Sequence, residues 1–376
     1  MAASLPAASL APAAVRSPAR LSYAWLFSPR ADLTMLLVPV LLTAIAFGAA
    51  LALGQDARGS ARNLATWTAQ FILGNTTHVV LTFVLLAARR DVLFATRGQA
   101  PAVILGSLGV FAGSLGLMHL VSGHTVFDPL YLAVVGIFAV HHTVSQVRGL
   151  WALYGLRGGK LGLPPPSARE RSLQKLFAPL ALLLIAVKWT LVGRMDAGFA
   201  PPFINVNPGT PAVLPFAVTH GLVAVWLAFA ALLFHALLAY PAVSVPKVLY
   251  LGVQTGVVAL ELVSPGWGMT LAGGLHGLEY ALLTRQMLAP TAAERGRTRL
   301  VDALIWPAMI AAMLPLLGVG LLMLPLGIGA LGRFGVWATR IASALVLAHY
   351  CADALIYRFR IPEVRKVAMN RLGFAV

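Results

Sequence analysis

Long apolar stretches of about 20 residues recur along the chain, separated by short polar or basic segments. A stretch of that length crosses the ~30 Å hydrocarbon core of a bilayer as an α-helix. The alternation of apolar and polar residues that marks an outer-membrane barrel is missing. The pattern predicts an all-α, polytopic integral membrane helical bundle of about ten transmembrane helices. The predicted spans are residues 33–54, 66–88, 101–122, 129–155, 174–194, 211–238, 247–263, 267–288, 301–325 and 334–357.

The composition agrees with a membrane domain. Of the 376 residues, 59% are hydrophobic and only 11% are charged, whereas a soluble domain carries roughly 25% charged residues. The loops between predicted spans are too short to fold a core of their own. We therefore expect a single transmembrane domain at residues 31–360. It would follow a disordered Ala/Pro/Ser-rich tail at 1–30 and precede a basic cytoplasmic tail at 361–376.

The basic residues indicate the orientation of the chain. The formal net charge is +16, but the lysines and arginines are clustered in the short loops between apolar stretches. Most of the 28 lie on one side of the predicted membrane, as orientation signals do. This distribution favours membrane lipids over nucleic acid as partners. It predicts that both termini are cytoplasmic and that the membrane is a prokaryotic inner (plasma) membrane.

Four histidines lie at similar depth in predicted spans that all run from the outside to the inside: His78, His142, His276 and His349. Counting to the next basic boundary at 1.5 Å per residue places them ~13–22 Å from the inner surface. An ionisable residue at this depth is costly and faces the bundle interior. A single such histidine is often an interhelical hydrogen-bond partner. Four at matched depth predict a metal site ligated by these imidazoles.

Two of these histidines are followed by a carboxylate. In "LHGLEYALLTR", Glu279 comes three residues after His276, and in "LAHYCADALIYRFR", Asp353 comes four residues after His349. These spacings place both groups on one face of a helix. A metal-bound imidazole directs its other N–H to a carboxylate or carbonyl. We predict Glu279 and Asp353 as catalytic residues that orient the imidazoles or take a coordination position.

Two further residues are predicted to contact the cofactor. Gln146 follows His142 by four residues, on the same helix face. Arg148 lies at the inner interface, where it could reach a phosphate headgroup or a haem propionate. Snorkelling toward the membrane surface is the competing interpretation for Arg148.

Histidine and carboxylate donors with open positions are the usual choice for non-haem iron in oxygen chemistry. The leading hypothesis is an integral-membrane oxidoreductase that uses histidine-ligated non-haem iron. Its substrate would be lipophilic, such as an acyl chain, a terpenoid or a carotenoid, and an electron donor would be a further partner. Two alternatives stay open at this point. One is a b-type cytochrome with bis-histidine haem b, and the other is a proton- or ion-coupled transporter in which histidines and carboxylates relay protons.

The stretch "LHGLEY" and the pair His141–His142 resemble histidine-cluster polytopic membrane non-haem iron oxygenases. Brp/Blh-like carotene-cleaving enzymes carry a PHGxxDH-like stretch, which this chain matches at His276 and Gly277, with Glu279 one position short of the acid. Desaturases and hydroxylases carry HxxxH and HxxHH boxes, of which the chain has only the adjacent pair. The resemblance covers about six residues. It implies iron held by histidines from several helices and a long apolar substrate, and it carries over His276 alone as a ligand.

Overall fold

The computed structural model describes residues 20–52, 68–121, 127–191, 213–239, 241–264, 266–290, 299–330 and 332–374. Within these ranges the chain is predominantly helical, which confirms the all-α prediction. Two short strands, β1 (Arg20–Ser22) and β2 (Ala242–Ser244), pair in parallel. The helices are α1 (Pro29–Ala52), α2 (Val79–Ala88), α3 (Arg90–Leu93), α4 (Gln99–Val121), α5 (Phe127–Lys160), α6 (Ala168–Leu191), α7 (Val213–Leu238), α8 (Val245–Val263), α9 (Trp267–Leu288), α10 (Arg299–Ala330), α11 (Gly332–Ile356) and α12 (Pro362–Arg371).

Five of the described helices are long and apolar enough to cross a membrane. These segments are Pro29–Ala49 in α1, Gln99–Val121 in α4, Ala168–Trp189 in α6, Ala217–Leu238 in α7 and Val245–Val263 in α8. Large apolar side chains stand on their outer faces: Ile45 and Leu105 are each 68% exposed. Such exposure would be unfavourable in water but suits contact with lipid. The helices are consistent with a multi-pass integral membrane protein.

The second predicted span, 66–88, is wrong as a continuous helix. A short π-helical segment, Thr68–Ile72, is followed by six residues outside regular helix before α2 begins at Val79. Gly74 has φ +89°, a conformation that glycine adopts readily and other residues rarely do. The next residues, Asn75 and Thr76, have side chains that compete with the helix for backbone hydrogen bonds. His78 therefore lies at the end of an irregular segment rather than in mid-helix.

Helix α9 is shaped to receive this irregular segment. At Gly277, a Cβ atom would overlap the backbone of residues 73–75, and at Gly273 it would press against the side chain of Asn75. Both glycines are buried. The absence of side chains at these two positions lets the backbone of the segment lie directly on α9. This contact brings His78 next to His276, which lies between the two glycines in the sequence.

Helix α9 is the centre of the bundle. It packs against α1, α8, α2, α5, α10 and α12. Helix α11 packs extensively on α4 and also contacts α2, while α5 packs on α6 and α8. The four predicted ligands therefore reach the interior from four directions: from the start of α2, from α5, from α9 and from α11.

The two ends of the described chain pack against the bundle. Residues 20–30, within the predicted N-terminal tail, form β1 and a turn whose amides at Leu26 and Phe27 donate to Asp32 at 2.7 and 3.0 Å. Residues 1–19 lie outside the described residues. In the predicted C-terminal tail, α12 buries Val364 and Ala368, and Arg371 forms an ion pair with Asp91 at 2.7 Å.

Candidate metal centre

The four histidines predicted as ligands meet in the interior of the bundle. The ring centroid of His78 is 4.7 Å from that of His276 and 4.8 Å from that of His349. His142 completes the arrangement, at 5.0 Å from His276 and 5.2 Å from His349. The interplanar angles of these four contacts lie between 68° and 88°. One ligand atom from each ring lies within 4.8 Å of the others, a group that could hold a metal ion.

Hydrogen bonds fix which nitrogen of two rings faces the centre. His78 Nδ1 lies 2.8 Å from the carbonyl oxygen of Gly74, to which it donates. His349 Nδ1 lies 2.6 Å from Thr82 Oγ1. The Gly74 carbonyl can only accept, and Thr82 donates its one proton to Asp353 Oδ1, so each ring carries its proton on Nδ1 and each Nε2 carries a lone pair. The two Nε2 atoms are 3.1 Å apart. Two lone pairs at this distance repel each other, and a cation bound by both would remove the repulsion.

The other two histidines each leave a buried nitrogen without a partner. His142 Nε2 and His276 Nδ1 have no hydrogen-bond partner among the described residues. Buried polar atoms in native proteins are almost always satisfied, so these atoms fit a role as metal ligands. Imidazole nitrogen is a suitable donor for zinc, copper, iron and nickel. The donor set therefore fits a transition-metal ion.

The two predicted catalytic carboxylates occupy different environments. Asp353 lies beside the histidines: its Oδ2 is 3.5 Å from His349 Nε2 and 3.9 Å from His142 Nε2. Its Oδ1 accepts hydrogen bonds from Tyr280 Oη at 2.8 Å and from Thr82 Oγ1 at 3.0 Å. Asp353 therefore presents one oxygen to the cluster while the other is held by two hydroxyl groups.

Glu279 is directed toward other groups. Its two carboxylate oxygens accept hydrogen bonds from the side-chain amides of Gln146, at 2.8 Å, and Gln254, at 2.6 Å. The carboxylate is 1% exposed and joins α9 to α5 and α8. Gln146, which we predicted to contact the cofactor, contacts Glu279 in the structure.

The structure places Arg148 apart from the four histidines. It lies six residues beyond His142 on α5, ~9 Å further along the helix axis and on another face, and it is exposed. The backbone carbonyl of Arg148 accepts a hydrogen bond from the side-chain amide of Gln174.

The sequence interpretation missed two hydroxyl residues at the centre, Thr82 and Tyr280. Thr82 is fully buried and Tyr280 is 1% exposed, and their hydroxyl oxygens are in contact with each other. A common signal would have found them. Each of the four histidines is followed four residues later by a polar side chain: Thr82, Gln146, Tyr280 and Asp353. At this spacing the side chains share a helix face with the histidine.

A large cavity adjoins the cluster. It has a volume of about 920 Å³, its surface is predominantly apolar, and its wall includes His142, Tyr280 and Asp353. Along α5 the cavity extends from Tyr131 to Leu153, which corresponds to ~33 Å at the helical rise. His142 lies midway between these two residues. The arrangement defines an all-α protein, consistent with a multi-pass membrane protein, that has a four-histidine centre in the wall of an elongated apolar cavity.

No family model, curated protein or solved structure matches the chain.

Proposed function

We propose that this protein is an integral-membrane oxidoreductase in which His78, His142, His276 and His349 hold non-haem iron that oxidises a long lipophilic substrate. The observation that supports it is a cluster of four imidazoles, with ligand atoms within 4.8 Å of one another, in the wall of a large apolar cavity. Iron bound there would supply redox and dioxygen chemistry.

The arrangement of the rings favours a bare metal ion over haem b. A bis-histidine haem needs a flat macrocycle between its two axial imidazoles. Here each ring contacts two others edge to face, with centroids at most 5.2 Å apart, which leaves no slot for a macrocycle. The apolar cavity beside the cluster also argues against a proton- or ion-coupled transporter, since an ion path needs polar groups along its length.

The cavity indicates the form of the substrate. Its outer part is lined by residues such as Leu117 and Phe138, and its inner part by Leu150 and Leu153. An extended chain that fills it would reach ~16 Å to each side of His142. The site would therefore act on an internal position of an acyl chain, a terpenoid or a carotenoid, rather than on its end. The apolar walls would exclude water from the reaction.

Protein groups around the cluster would control binding. Asp353 lines the cavity, and its Oδ2 faces the cluster, so this carboxylate would stand beside both the metal and the substrate. Glu279 would fix α5, α8 and α9 around the site through Gln146 and Gln254.

The proposed membrane placement has about ten spans with both termini in the cytoplasm of a prokaryote. The substrate would enter from membrane lipid by lateral diffusion. An electron donor would be a further partner and would supply the reducing equivalents for turnover.

Metal analysis with absorption spectroscopy tests the proposal. Protein purified gently in detergent is expected to contain stoichiometric iron and to show no Soret band. It is then expected to consume dioxygen with a carotenoid, a terpenoid or a fatty-acyl lipid as co-substrate. A Soret band, or protein that neither contains nor takes up a transition metal, would contradict the proposal.

Filling the cavity should separate metal binding from turnover. Gly149 lines the cavity, and a Cβ there would meet no atom within 4 Å, so the ring of Gly149→Phe can enter the empty space. We expect unchanged metal content but lipid oxidation reduced by tenfold or more, since misplacing a substrate by an ångström can cost about 100-fold. The measurement is product formation per bound metal.

The matched control is Gly116→Phe. Gly116 is exposed on α4, on a different face from the cavity-lining residues of that helix, and a Cβ there also meets no atom within 4 Å. Equal rates in the two variants would show that the cavity is not the substrate site.

A further inference from the structure

We propose that Asp353 is a fifth ligand of this metal, and that Thr82 and Tyr280 are positioning residues that aim it. The inference rests on the proposed function, because it requires that the four histidines hold a metal ion. It assigns different roles to two carboxylates, Glu279 and Asp353, that stand in nearly the same sequence relation to a histidine.

The hydrogen bonds at Asp353 distinguish its two oxygens. Tyr280 and Thr82 both donate to Oδ1, at 2.8 and 3.0 Å. No described residue donates a hydrogen bond to Oδ2. The carboxylate therefore has one oxygen that is anchored by protein donors and one that is available to a metal.

Thr82 links this carboxylate to a histidine. Its oxygen accepts the Nδ1 proton of His349 at 2.6 Å, and its own proton is donated to Asp353 Oδ1 at 3.0 Å. A hydroxyl group has one proton to donate and can accept as well, so both bonds can form together. The same side chain thus fixes the tautomer of His349 and the rotation of the Asp353 carboxylate.

The distances from Asp353 Oδ2 to its neighbours suit a shared metal. Ligands ~2.1 Å from a metal ion are ~3.0 Å apart at right angles and ~4.2 Å apart on opposite sides. Asp353 Oδ2 lies 3.5 Å from His349 Nε2 and 3.9 Å from His142 Nε2, so it is within this range of two of the four histidines. A hard carboxylate oxygen beside imidazole nitrogens also favours iron over softer metals.

Glu279 provides the internal comparison. Both of its oxygens accept hydrogen bonds from glutamine amides, so protein donors hold both oxygens, whereas they hold only one oxygen of Asp353. The difference arises on neighbouring helices: α2 supplies a hydroxyl to Asp353, whereas α5 and α8 supply amides to Glu279.

Cobalt substitution tests the inference without a turnover assay. The metal-free protein is titrated with Co²⁺, whose visible absorption strengthens as its coordination number falls. Wild type is expected to give the weaker spectrum of a five-coordinate ion, and Asp353→Asn the stronger spectrum of a four-coordinate ion. Coincident spectra for the two proteins, both binding Co²⁺ stoichiometrically, would overturn the role of Asp353 while leaving the histidine site intact. Wild-type protein that binds no Co²⁺ would overturn the metal site and this inference together.

The positioning role of Thr82 is tested by a pair of substitutions. Thr82→Val removes the hydroxyl at constant shape and is expected to lower Co²⁺ affinity by about 10–100-fold, the usual effect of losing a group that orients a ligand. Its spectrum should shift toward that of Asp353→Asn. Thr82→Ser keeps the hydroxyl and should restore both the Co²⁺ affinity and the spectrum. If Thr82→Val acted only by disturbing the packing, the serine variant, which lacks the methyl group, would not restore them.

Thr284→Val is the matched control. Thr284 is fully buried on α9, and its hydroxyl has no hydrogen-bond partner among the described residues. Its substitution should leave Co²⁺ affinity and spectrum unchanged. If Thr82→Val behaves as Thr284→Val does, Thr82 does not position the site.

Discussion

Replacement of His276 by alanine is expected to lower metal affinity by more than about 100-fold, because even a group that only orients a ligand contributes ~10–100-fold. His276 lies in ring contact with both His78 and His142, so its loss leaves a gap between two other ligands. His349→Ala should have a similar effect and should also remove the hydrogen bond from His349 Nδ1 to Thr82. The measurement is bound metal per chain after dialysis against a weak chelator.

Metal-free His276→Ala should remain folded. His276 Nδ1 has no hydrogen-bond partner among the described residues, so no such bond is lost there. The control is His235→Ala, since His235 is exposed near the end of α7, and it should retain the wild-type metal content. A double variant, His276→Ala with His349→Ala, that still binds metal as tightly as wild type would refute the four-histidine centre.

Gly277→Ala should be among the most damaging single-methyl additions in the chain. The new Cβ would overlap backbone atoms of Leu73, Gly74 and Asn75. Backbone atoms cannot relieve the overlap by a change of rotamer, as a side chain can. Either α9 or the irregular segment must shift, at a cost of about 1–3 kcal/mol or more. Both sides of this contact carry a histidine, so we expect a lower unfolding temperature in detergent together with reduced metal content.

Gly256→Ala is the matched control for this substitution. Gly256 is exposed on α8, and a Cβ there meets no atom within 4 Å. Alanine is favoured over glycine in a helix interior by up to about 1 kcal/mol, so this variant should unfold at the same temperature as wild type or higher. Similar unfolding temperatures for the two variants would mean that the close approach of α9 to residues 73–75 does not stabilise the fold.

The sequence predicts a common level for the four histidines because helical rise is constant, so that counting residues to a basic boundary estimates distance along a helix; the structure confirms that the four lie together. Lateral convergence could not be counted in the same way, since it depends on which helices pack together. Among the described residues, the three long helices that carry His142, His276 and His349 are not among the five that are long and apolar enough to cross a membrane. The helices that carry the histidines contact other helices and bear polar groups. These groups lower their mean hydropathy, so that spans are harder to count from the sequence.

Three other features of the site could not be predicted from the sequence. The break before His78 was hidden by apolar residues on both sides of it, although Gly74 and Asn75 are a recognisable turn signal. The different roles of Glu279 and Asp353 could not be inferred because they are decided by residues distant in sequence, Gln254 and Thr82. Arg148 shows a further limit, since an arginine near the membrane surface fits a cofactor contact and simple exposure equally well.

The contact between His78 and His349 joins residues 271 positions apart in the sequence. At a synthesis rate of ~5–20 residues per second, the ribosome needs roughly 15–50 s to add the second after the first. During that interval His78 exists without its later partner. On the proposed function, the metal would bind only after α11 has been synthesised, and a nascent chain stalled before α11 would lack a competent centre.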